Sequence, residues 1–387
     1  MRPIMIFIIA GMFFLSCSHR NEQSSFIDLR QQDSVSIFDI FESVDVVFLE
    51  TNEQSLIGNI SKVGCFKNRY YILDGKQQIV FCFDSIGNFL FRISQRGHGP
   101  NEYIYLGDLS IDPYNNQLLL LEPYGNLLVF DLDGQFLSKI RLPSEVVAYN
   151  RVYPIDENNL LFSSFTYDEL VFYNRQEHTI FDRRFGIDAD RLGFGLFSPH
   201  NIYHYQGDLF FSPPPFNEII NLSDSSVFSW NFGKRTNTKE KVKQLKKFIL
   251  TSNIDFNPKP PYYEGYDWIG QNKLGNVPFQ NFESSRYRFY YLQTKHNFTK
   301  YIFYDKKTKK PVIFGKTKEG ITFWFPQFNG ESIVLRERGW VKKIGNPDID
   351  KDLVYYHPDI FTKEQRQQYE SRKEDDNPFL VIYNFKQ

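Results

Sequence analysis

The sequence predicts an all-β fold, a six-bladed β-propeller of four-stranded antiparallel blades. Two observations lead to this prediction. A pattern of short strands and turns recurs every 40–50 residues, and aromatic residues, which favour half-buried pleated surfaces, make up 18% of the chain. Four short strands per unit at this period are typical of propellers, in which each blade covers the apolar faces of its neighbours.

The repeat is clearest between residues 70–93 and 118–142, which both read as strand, turn, strand, turn and strand. Within them, Phe83-Asp84 aligns with Phe130-Asp131, 47 residues later. Gly, Asp, Asn and Pro residues mark the turns. Counting such units predicts six blades, at residues 57–95, 101–142, 146–186, 193–233 and 268–315, and from residue 321 onward.

The last unit lacks a clear fourth strand. Two strand patterns at opposite ends of the chain, at 44–51 and 377–386, are left without a blade. Pairing them in the last blade would close the ring and leave no exposed sheet edge. We therefore assign residues 44–387 to the propeller.

Two charged segments interrupt the repeat, and both predict helices. One is an insertion near 236–253. The other is a C-terminal helix near 362–376, which opens with a capping box formed by Thr362 and Gln365. Runs of charged residues of this kind are typical of solvent-exposed helix faces.

The first 17 residues have the layout of a targeting segment. Arg2 supplies a positive charge, residues 4–15 are apolar but too few to span a bilayer, and a small residue precedes Cys17. The ending "LSC" is similar to the lipobox of bacterial lipoproteins, in which the cysteine is acylated. We predict a lipoprotein signal peptide over 1–17, followed by a tether and N-terminal segment over 18–43. An ordinary signal peptide with an incidental cysteine is the alternative.

Cys65 and Cys82 are the only other cysteines of the chain. They fall in the first and third strands of the first blade, so one strand lies between them. Their separation is then about twice the ~4.8 Å spacing of neighbouring strands, which exceeds the reach of a disulfide. We predict two free, buried thiols.

Charge and motifs narrow the classes of function. A net charge of −1 gives no basic field of the kind that nucleic-acid binding needs. The sequence contains no G-x-S-x-G, H-E-x-x-H, phosphate-binding glycine loop or C-x-x-C motif. We therefore predict no catalytic residue, no cofactor and no nucleic-acid partner.

Two patterns are compatible with metal binding but incomplete. His200 and His204 share a strand face without a third ligand. Residues 348–359 place aspartates at four positions of a calcium loop, but Leu353 replaces the glycine that its sharp turn requires. We interpret the first as ordinary histidines and the second as a solvated loop, with calcium as an alternative.

The lipobox, "LIGNISKV", "RGHGPNEY" and "FDSIGNFL" together resemble the six-bladed β-propeller lipoproteins of Gram-negative bacteria, relatives of NHL-repeat propellers. That family often carries a G-x-G-P-x-E-Y segment between its first two blades, and here the segment is Gly97 to Tyr103. The resemblance implies a propeller in the cell envelope and no established reaction. The tether lacks the acidic run associated with surface export, so we expect an outer-membrane lipoprotein that faces the periplasm, as a monomer.

The segment "RGHGPNEY" joins the outer strand of the first blade to the inner strand of the second. Its glycines permit bends with φ > 0 and Pro100 fixes one φ, so a structural bend explains these residues. It does not explain Arg96, His98 and Glu102, which we predict as candidate polar contacts to a ligand at the channel mouth.

Loops between the second and third strands of each blade share that face. From the second blade on, they carry an aromatic residue at comparable positions. These candidate ligand-binding residues are Tyr124, Tyr167, Phe216 and Phe298. Aromatic faces around a channel mouth can stack on sugar rings or peptide side chains, whereas packing between blades is the alternative.

We therefore predict a membrane-anchored binding or scaffold propeller, whose ligand at the channel mouth is a carbohydrate, a small molecule, a peptide or a protein. One alternative is a propeller hydrolase or lyase of the calcium-dependent esterase or lactonase type, which would need several carboxylates converging on the channel. Another is a purely structural component of an envelope complex.

Overall fold

The structure of the protein is a computed structural model, and it describes residues 21–146, 149–164, 169–185, 201–213, 215–251, 277–295, 298–323, 326–336 and 356–387. Within these ranges the strands form six sheets. The predicted six-bladed propeller of four-stranded antiparallel sheets is confirmed. Among the described residues, no helix is long and apolar enough to cross a membrane.

The chain begins with an N-terminal segment and then builds three blades in sequence order. The N-terminal segment contains β1 (Asn21–Phe26), α1 (Ile37–Ile40) and β2 (Phe41–Phe48). Blade 1 consists of β3 (Ile60–Phe66), β4 (Arg69–Asp74), β5 (Ile79–Asp84) and β6 (Phe89–Ile93). Blade 2 consists of β7 (Asp108–Asp112), β8 (Gln117–Glu122), β9 (Asn126–Asp131) and β10 (Phe136–Arg141). Blade 3 consists of β11 (Arg151–Pro154), β12 (Asn159–Ser163), β13 (Leu170–Asn174) and β14 (Thr179–Arg184).

The second half of the ring follows the same plan, with two helices added. Blade 4 consists of β15 (Ile202–Tyr205), β16 (Asp208–Phe211), β17 (Glu218–Asn221) and β18 (Val227–Asn231). Helix α2 (Lys239–Thr251) precedes blade 5, which consists of β19 (Val277–Glu283), β20 (Tyr287–Lys295), β21 (Phe298–Asp305) and β22 (Lys310–Phe314). Blade 6 contains β23 (Gln327–Asn329), β24 (Ser332–Arg336) and, after α3 (Lys363–Glu370), β25 (Phe379–Phe385).

The meander of each blade gives the ring two distinct faces. The first strand of a blade lines the central channel, and the last strand forms the outer edge. We call the face with the loops between second and third strands, and between successive blades, the upper face. The lower face carries the loops between first and second strands and between third and fourth strands.

The sequence repeat has a structural cause in the lower turn of blades 1 to 5. An Asp or Asn ends the third strand and accepts backbone N–H groups of the following turn, which is an Asx-type turn. Asp84 accepts from Ile86 at 3.0 Å, and Asp131 accepts from Asp133 at 2.9 Å. The same bonds recur at Asn174, Asn221 and Asp305. The aligned Phe-Asp pairs of the sequence therefore mark one turn of the propeller plan.

The ring is closed by strands from both ends of the chain, as the sequence predicts. β2 pairs antiparallel with β25, so that Phe41 lies opposite Phe385 and Phe48 lies opposite Phe379. The outer strand of blade 6 thus comes from the N-terminal end and its three other strands from the C-terminal end. Closure by the main chain leaves no gap between the last blade and the first.

The two predicted helices are present, and both lie within the predicted ranges. α2 falls inside the insertion expected near 236–253. α3 begins after Thr362, whose side chain accepts the Gln365 N–H while the Gln365 side chain accepts the Thr362 N–H. The predicted capping box is therefore confirmed.

The two cysteines of the fold are free, as predicted. Cys65 on β3 and Cys82 on β5 are separated by β4. They also belong to different apolar clusters of blade 1. Cys82 is fully buried, whereas Cys65 is only half-buried. Burial raises the pKa of both thiols to about 12, so both are protonated at neutral pH.

The N-terminal segment is docked along the outer edge of the ring. β1 pairs in parallel with β18 and adds a fifth strand to blade 4. After it, Ile27, Val35 and Ile37 are buried in the largest apolar cluster of the protein. Most of the segment between residues 21 and 43 is therefore part of the packed structure.

Candidate functional site at the channel entrance

The segment from Arg96 to Tyr103 forms a tight loop on the upper face. The Gly97 N–H donates to the Tyr103 carbonyl at 2.9 Å, and the Tyr103 N–H donates to the Gln95 carbonyl at 3.0 Å. The Tyr103 ring is fully buried, and its hydroxyl donates to the Gln78 carbonyl at 2.6 Å. These bonds fix the crossing from blade 1 to blade 2.

Glu102 holds this loop from inside. Its carboxylate accepts the Gly99 N–H at 2.7 Å, and a Cβ at Gly97 would lie 2.1 Å from the same carboxylate. Any larger residue at position 97 would therefore collide with the Glu102 carboxylate, so glycine is required there. Arg96 and His98 are exposed, and the Arg96 guanidinium donates to the Ile104 carbonyl at 3.3 Å. Arg96 and His98 thus stay predicted ligand contacts. Glu102 also stays a predicted contact, but it has a structural role in the loop as well.

The predicted aromatic rim is described in part. Tyr124 is 58% exposed in the upper loop of blade 2, and Phe216 is half-buried in the corresponding loop of blade 4. Tyr167 and the side chain of Phe298 lie outside the described residues. Tyr124 therefore has the exposure that a stacking platform requires.

Three charged side chains from three consecutive blades meet at the upper end of the channel. The Lys62 ammonium on β3 lies 2.7 Å from the Asp108 carboxylate at the start of β7. The Arg151 guanidinium at the start of β11 lies 3.8 Å from the same carboxylate. Asp108 also accepts the Val152 N–H at 3.1 Å. Two cations thus share one carboxylate.

The carboxylate is buried, but the two cations are partly exposed. The exposed fraction of the side chain is 0% for Asp108, 31% for Lys62 and 20% for Arg151. Burial in the channel wall lowers the pKa of Lys62; Asp108 opposes this shift and Arg151 adds to it. The described part of the entrance is therefore a poorly hydrated site in which two cations face one carboxylate.

The polar wall continues to blade 4 through Tyr153 and His204. Their ring centroids lie 6.2 Å apart, and His204 Nε2 lies 2.8 Å from the Pro154 carbonyl, to which it donates. Burial lowers the pKa of His204, the bond to Pro154 opposes this, and the charge of Lys62 lowers the pKa further. His204 is therefore neutral at neutral pH and close enough to Lys62 to respond to its charge.

An ion cluster at the lower face gives a useful contrast. The Lys306 ammonium lies 2.9 Å from the Glu283 carboxylate and also donates to the Ser284 carbonyl at 2.6 Å and to the Tyr205 hydroxyl at 3.0 Å. All three of its protons are therefore used within the protein. Among the described residues, the Lys62 ammonium donates only to Asp108. Two protons of Lys62 are thus available to a ligand.

Sequence reasoning did not single out Lys62, Asp108, Arg151 or Tyr153. Each lies on the first strand of its blade, where alternate side chains point into the channel. A charged residue in an otherwise apolar inner strand, such as Lys62 in "ISKVGCF", is the signal that was present in the sequence. Such a residue can be assigned to a site only when the structure shows which neighbouring inner strands carry charged residues at the same level of the channel.

No group of three or more potential metal ligands occurs among the described residues. His200 and residues 348–352 lie outside them. Asp359 is described, and its carboxylate pairs with His357 at 3.0 Å and with Arg366 at 3.3 Å. His204, the second histidine of the predicted pair, faces the channel cluster described above.

The fold and this entrance define a six-bladed propeller with a polar channel mouth. Residues 24–384 match the family described as Domain of unknown function DUF4934. Because the match spans most of the chain, the protein belongs to that family. No match is found among curated proteins.

Solved structures support the fold. A protein of Bacteroides fragilis that is named as exported is 18% identical, with a TM-score of 0.70 over 94% of this chain and 100% of its own. A DUF4221 family member from Bacteroides vulgatus is 10% identical, with a TM-score of 0.51 over 92% of this chain and 99% of its own. At these identities the likeness concerns the fold.

Proposed function

We propose that the protein is an exported, membrane-anchored lipoprotein whose propeller binds an anionic ligand at the channel entrance. The observation that carries the proposal is the Lys62 ammonium. It is partly exposed, donates to one acceptor among the described residues, and lies beside a second cation on the same carboxylate.

The charge balance favours an anion over a cation. The buried Asp108 carboxylate already pairs with both Lys62 and Arg151, so a divalent cation would compete with two cations for this carboxylate. A ligand carboxylate would instead accept the two remaining Lys62 protons in a charge-assisted hydrogen bond. Such a bond also offsets the cost of holding a lysine in poorly hydrated surroundings.

The side chains around the cations favour a saccharide that carries the carboxylate. Tyr153 and His204 bring two rings together in the polar wall, where the charge of Lys62 acts on His204, and Tyr124 exposes a further ring on the rim. Aromatic rings stack on the apolar faces of sugars, while the cations would hold an acidic group. The lysine and the rings are thus suited to one ligand.

The envelope location is supported by two independent observations. The sequence carries a lipobox-like ending at Cys17, and the similar Bacteroides fragilis protein is named as exported. We place the protein on the outer membrane, facing the periplasm, because its tether lacks an acidic run.

The test is calorimetric titration of residues 18–387 with trigalacturonate and with its methyl ester. The ester keeps the sugar rings but removes the charges. We expect the acid to bind at least about tenfold more tightly, which corresponds to ~1.4 kcal/mol. Lys62→Met should lose about the same factor. Lys67→Met, in the lower turn of the same hairpin, is the matched control and should bind like the wild type.

Equal affinity for acid and ester, or unchanged binding by Lys62→Met, would overturn the anionic site. If trigalacturonate fails to bind, a panel of acidic peptides and small carboxylates decides between two outcomes. Binding that depends on Lys62 would keep the site and reject the saccharide. The absence of any Lys62-dependent binding would reject the site.

A further inference from the structure

The direction of β1 fixes where the chain enters the fold. β18 starts after the lower turn of blade 4 and runs to the upper face. β1 pairs with it in parallel, with Asn21 opposite Val227 and Phe26 opposite Asn231. Asn21, the first residue that the structure describes, is therefore level with the lower end of the blade.

The chain stays attached after β1. The Ile27 N–H donates to the Asn231 carbonyl at 2.8 Å, and Asp33 exchanges hydrogen bonds with Ile313 of blade 5 at 2.6 and 2.7 Å. The Lys318 N–H donates to the Val35 carbonyl at 2.7 Å. The segment is thus a belt across the edges of blades 4 and 5, and it cannot act as free tether length.

The free tether is therefore short. Cys17 precedes Asn21 by four residues, and an extended chain spans at most ~3.4 Å per residue. An acylated Cys17 would lie within about 14 Å of the lower end of blade 4. This reach is smaller than the propeller itself, so the anchor restricts how the ring sits on a bilayer.

The charges of the lower face also favour the edge at blade 5 as the part that lies nearest the membrane. The lower turn of blade 5 exposes Lys307, Lys309 and Lys310, and each basic residue near an anionic bilayer contributes roughly 1 kcal/mol. Across the ring, the lower turns of blades 2 and 3 expose Asp133, Glu157 and Glu177, and blade 4 adds Asp224. The lysine turn is the part of this face that suits an anionic lipid surface.

We propose that the lower edge of blades 4 and 5 rests on an anionic membrane surface, so that the channel entrance on the upper face points away from the bilayer. This inference rests on the lipid anchor of the proposed function but not on its ligand. Ligands dissolved in the surrounding compartment would then reach Lys62 without crossing the lipid headgroups.

The test uses the full-length acylated protein in vesicles of phosphatidylcholine and phosphatidylglycerol that contain an acceptor dye on lipid. A donor dye is attached to an engineered cysteine in one of three exposed sites: Thr308→Cys below blade 5, Lys234→Cys above blade 4, or Asp133→Cys below blade 2. Cys65 and Cys82 have pKa values raised to about 12, so they react slowly.

We expect the strongest energy transfer from Thr308→Cys, at least about twice that from Lys234→Cys, because a strand of this length separates the two faces by roughly 17 Å. Energy transfer from Asp133→Cys should be weaker than energy transfer from Thr308→Cys. The matched control is an insertion of about twelve Gly and Ser residues before Asn21. Such a linker spans ~20 Å, so the differences in energy transfer among the three sites should disappear.

Transfer that is equal at the three sites, or strongest from Lys234→Cys, would overturn the orientation. A full-length protein that does not associate with vesicles would overturn the anchor and with it this inference. The titrations with trigalacturonate use the unanchored chain, so their result does not depend on either outcome.

Discussion

Lys62 makes the stability of the folded protein depend on pH, because its pKa differs between the folded and the unfolded state. Its pKa is lowered in the folded protein, chiefly by burial, so the folded state binds fewer protons than the unfolded state over the pH range between the two values. Stability from this group therefore increases as pH rises through that range.

The first prediction concerns the pH dependence of binding. Anion binding requires protonated Lys62, so affinity should fall as pH rises through the lowered pKa, earlier than for an ordinary lysine near 10.4. Titration calorimetry with trigalacturonate between pH 6 and about 10 measures this. The residual binding of Lys62→Met should not show the alkaline loss; an identical loss in that variant would contradict the assignment.

The second prediction uses His204 as a reporter. Removing the Lys62 charge in Lys62→Met should raise the pKa of His204, because Lys62 is one cause of its lowering. Proton NMR titration of the histidine ring signals measures the shift. A His204 pKa that stays constant would show that the two side chains do not share the channel.

The third prediction compares two tyrosines of the upper face. Tyr124 is 58% exposed and Tyr103 is fully buried. Tyr124→Ala should change the free energy of unfolding by less than about 0.5 kcal/mol and weaken saccharide binding. Tyr103→Ala should cost roughly 3–5 kcal/mol. Urea denaturation and calorimetry measure both. Wild-type binding by Tyr124→Ala would remove this residue from the site.

At the scale of elements, the regular parts of the blades are predictable from the sequence. The Asx turns after Asp84 and Asp131 are local and repeat in blades 1 to 5, and the strand patterns of 44–51 and 377–386 have no other partner. β1 is different. It joins β18 through backbone bonds between residues far apart in sequence, so residues 21–26 carry no pattern that indicates their partner.

The channel entrance also escapes local analysis. The inner strands are short, and a strand with one face toward the channel alternates polar and apolar residues like any half-buried strand. Lys62, Asp108 and Arg151 become a cluster only when the register of three blades is known. The position of the upper loops can be predicted from the sequence, because the order of the strands in each blade places these loops on the face at the channel mouth.

The fourth prediction concerns closure by β25. Deleting residues 377–387 removes the partner of β2 and of β24 and exposes the buried side chains of Phe41 and Ile333, which those strands contribute. We expect a lower melting temperature and aggregation through the open edges. Light scattering after size exclusion measures this. Deleting only residues 386 and 387 is the control. A monomer with unchanged melting would contradict the role of β25.

At the scale of the whole molecule, the fifth prediction concerns the anchor. Cys17→Ala should move the protein from the membrane fraction to the soluble fraction, because acylation of this cysteine is the predicted attachment to the membrane. Fractionation and immunoblotting measure the change. Cys65→Ala leaves the lipobox intact and should stay with the membrane. Membrane retention of Cys17→Ala would contradict the lipid anchor.

The closure of the ring also determines when the protein can finish folding. β2 is made before the strands of blades 1 to 5, but its partner β25 follows every other strand that the structure describes. Until then β2 has no partner, and blade 6 has no outer strand. Contacts of such long sequence separation form slowly. An exported chain would therefore cross the inner membrane before its native ring exists, and it would need protection from aggregation during that interval.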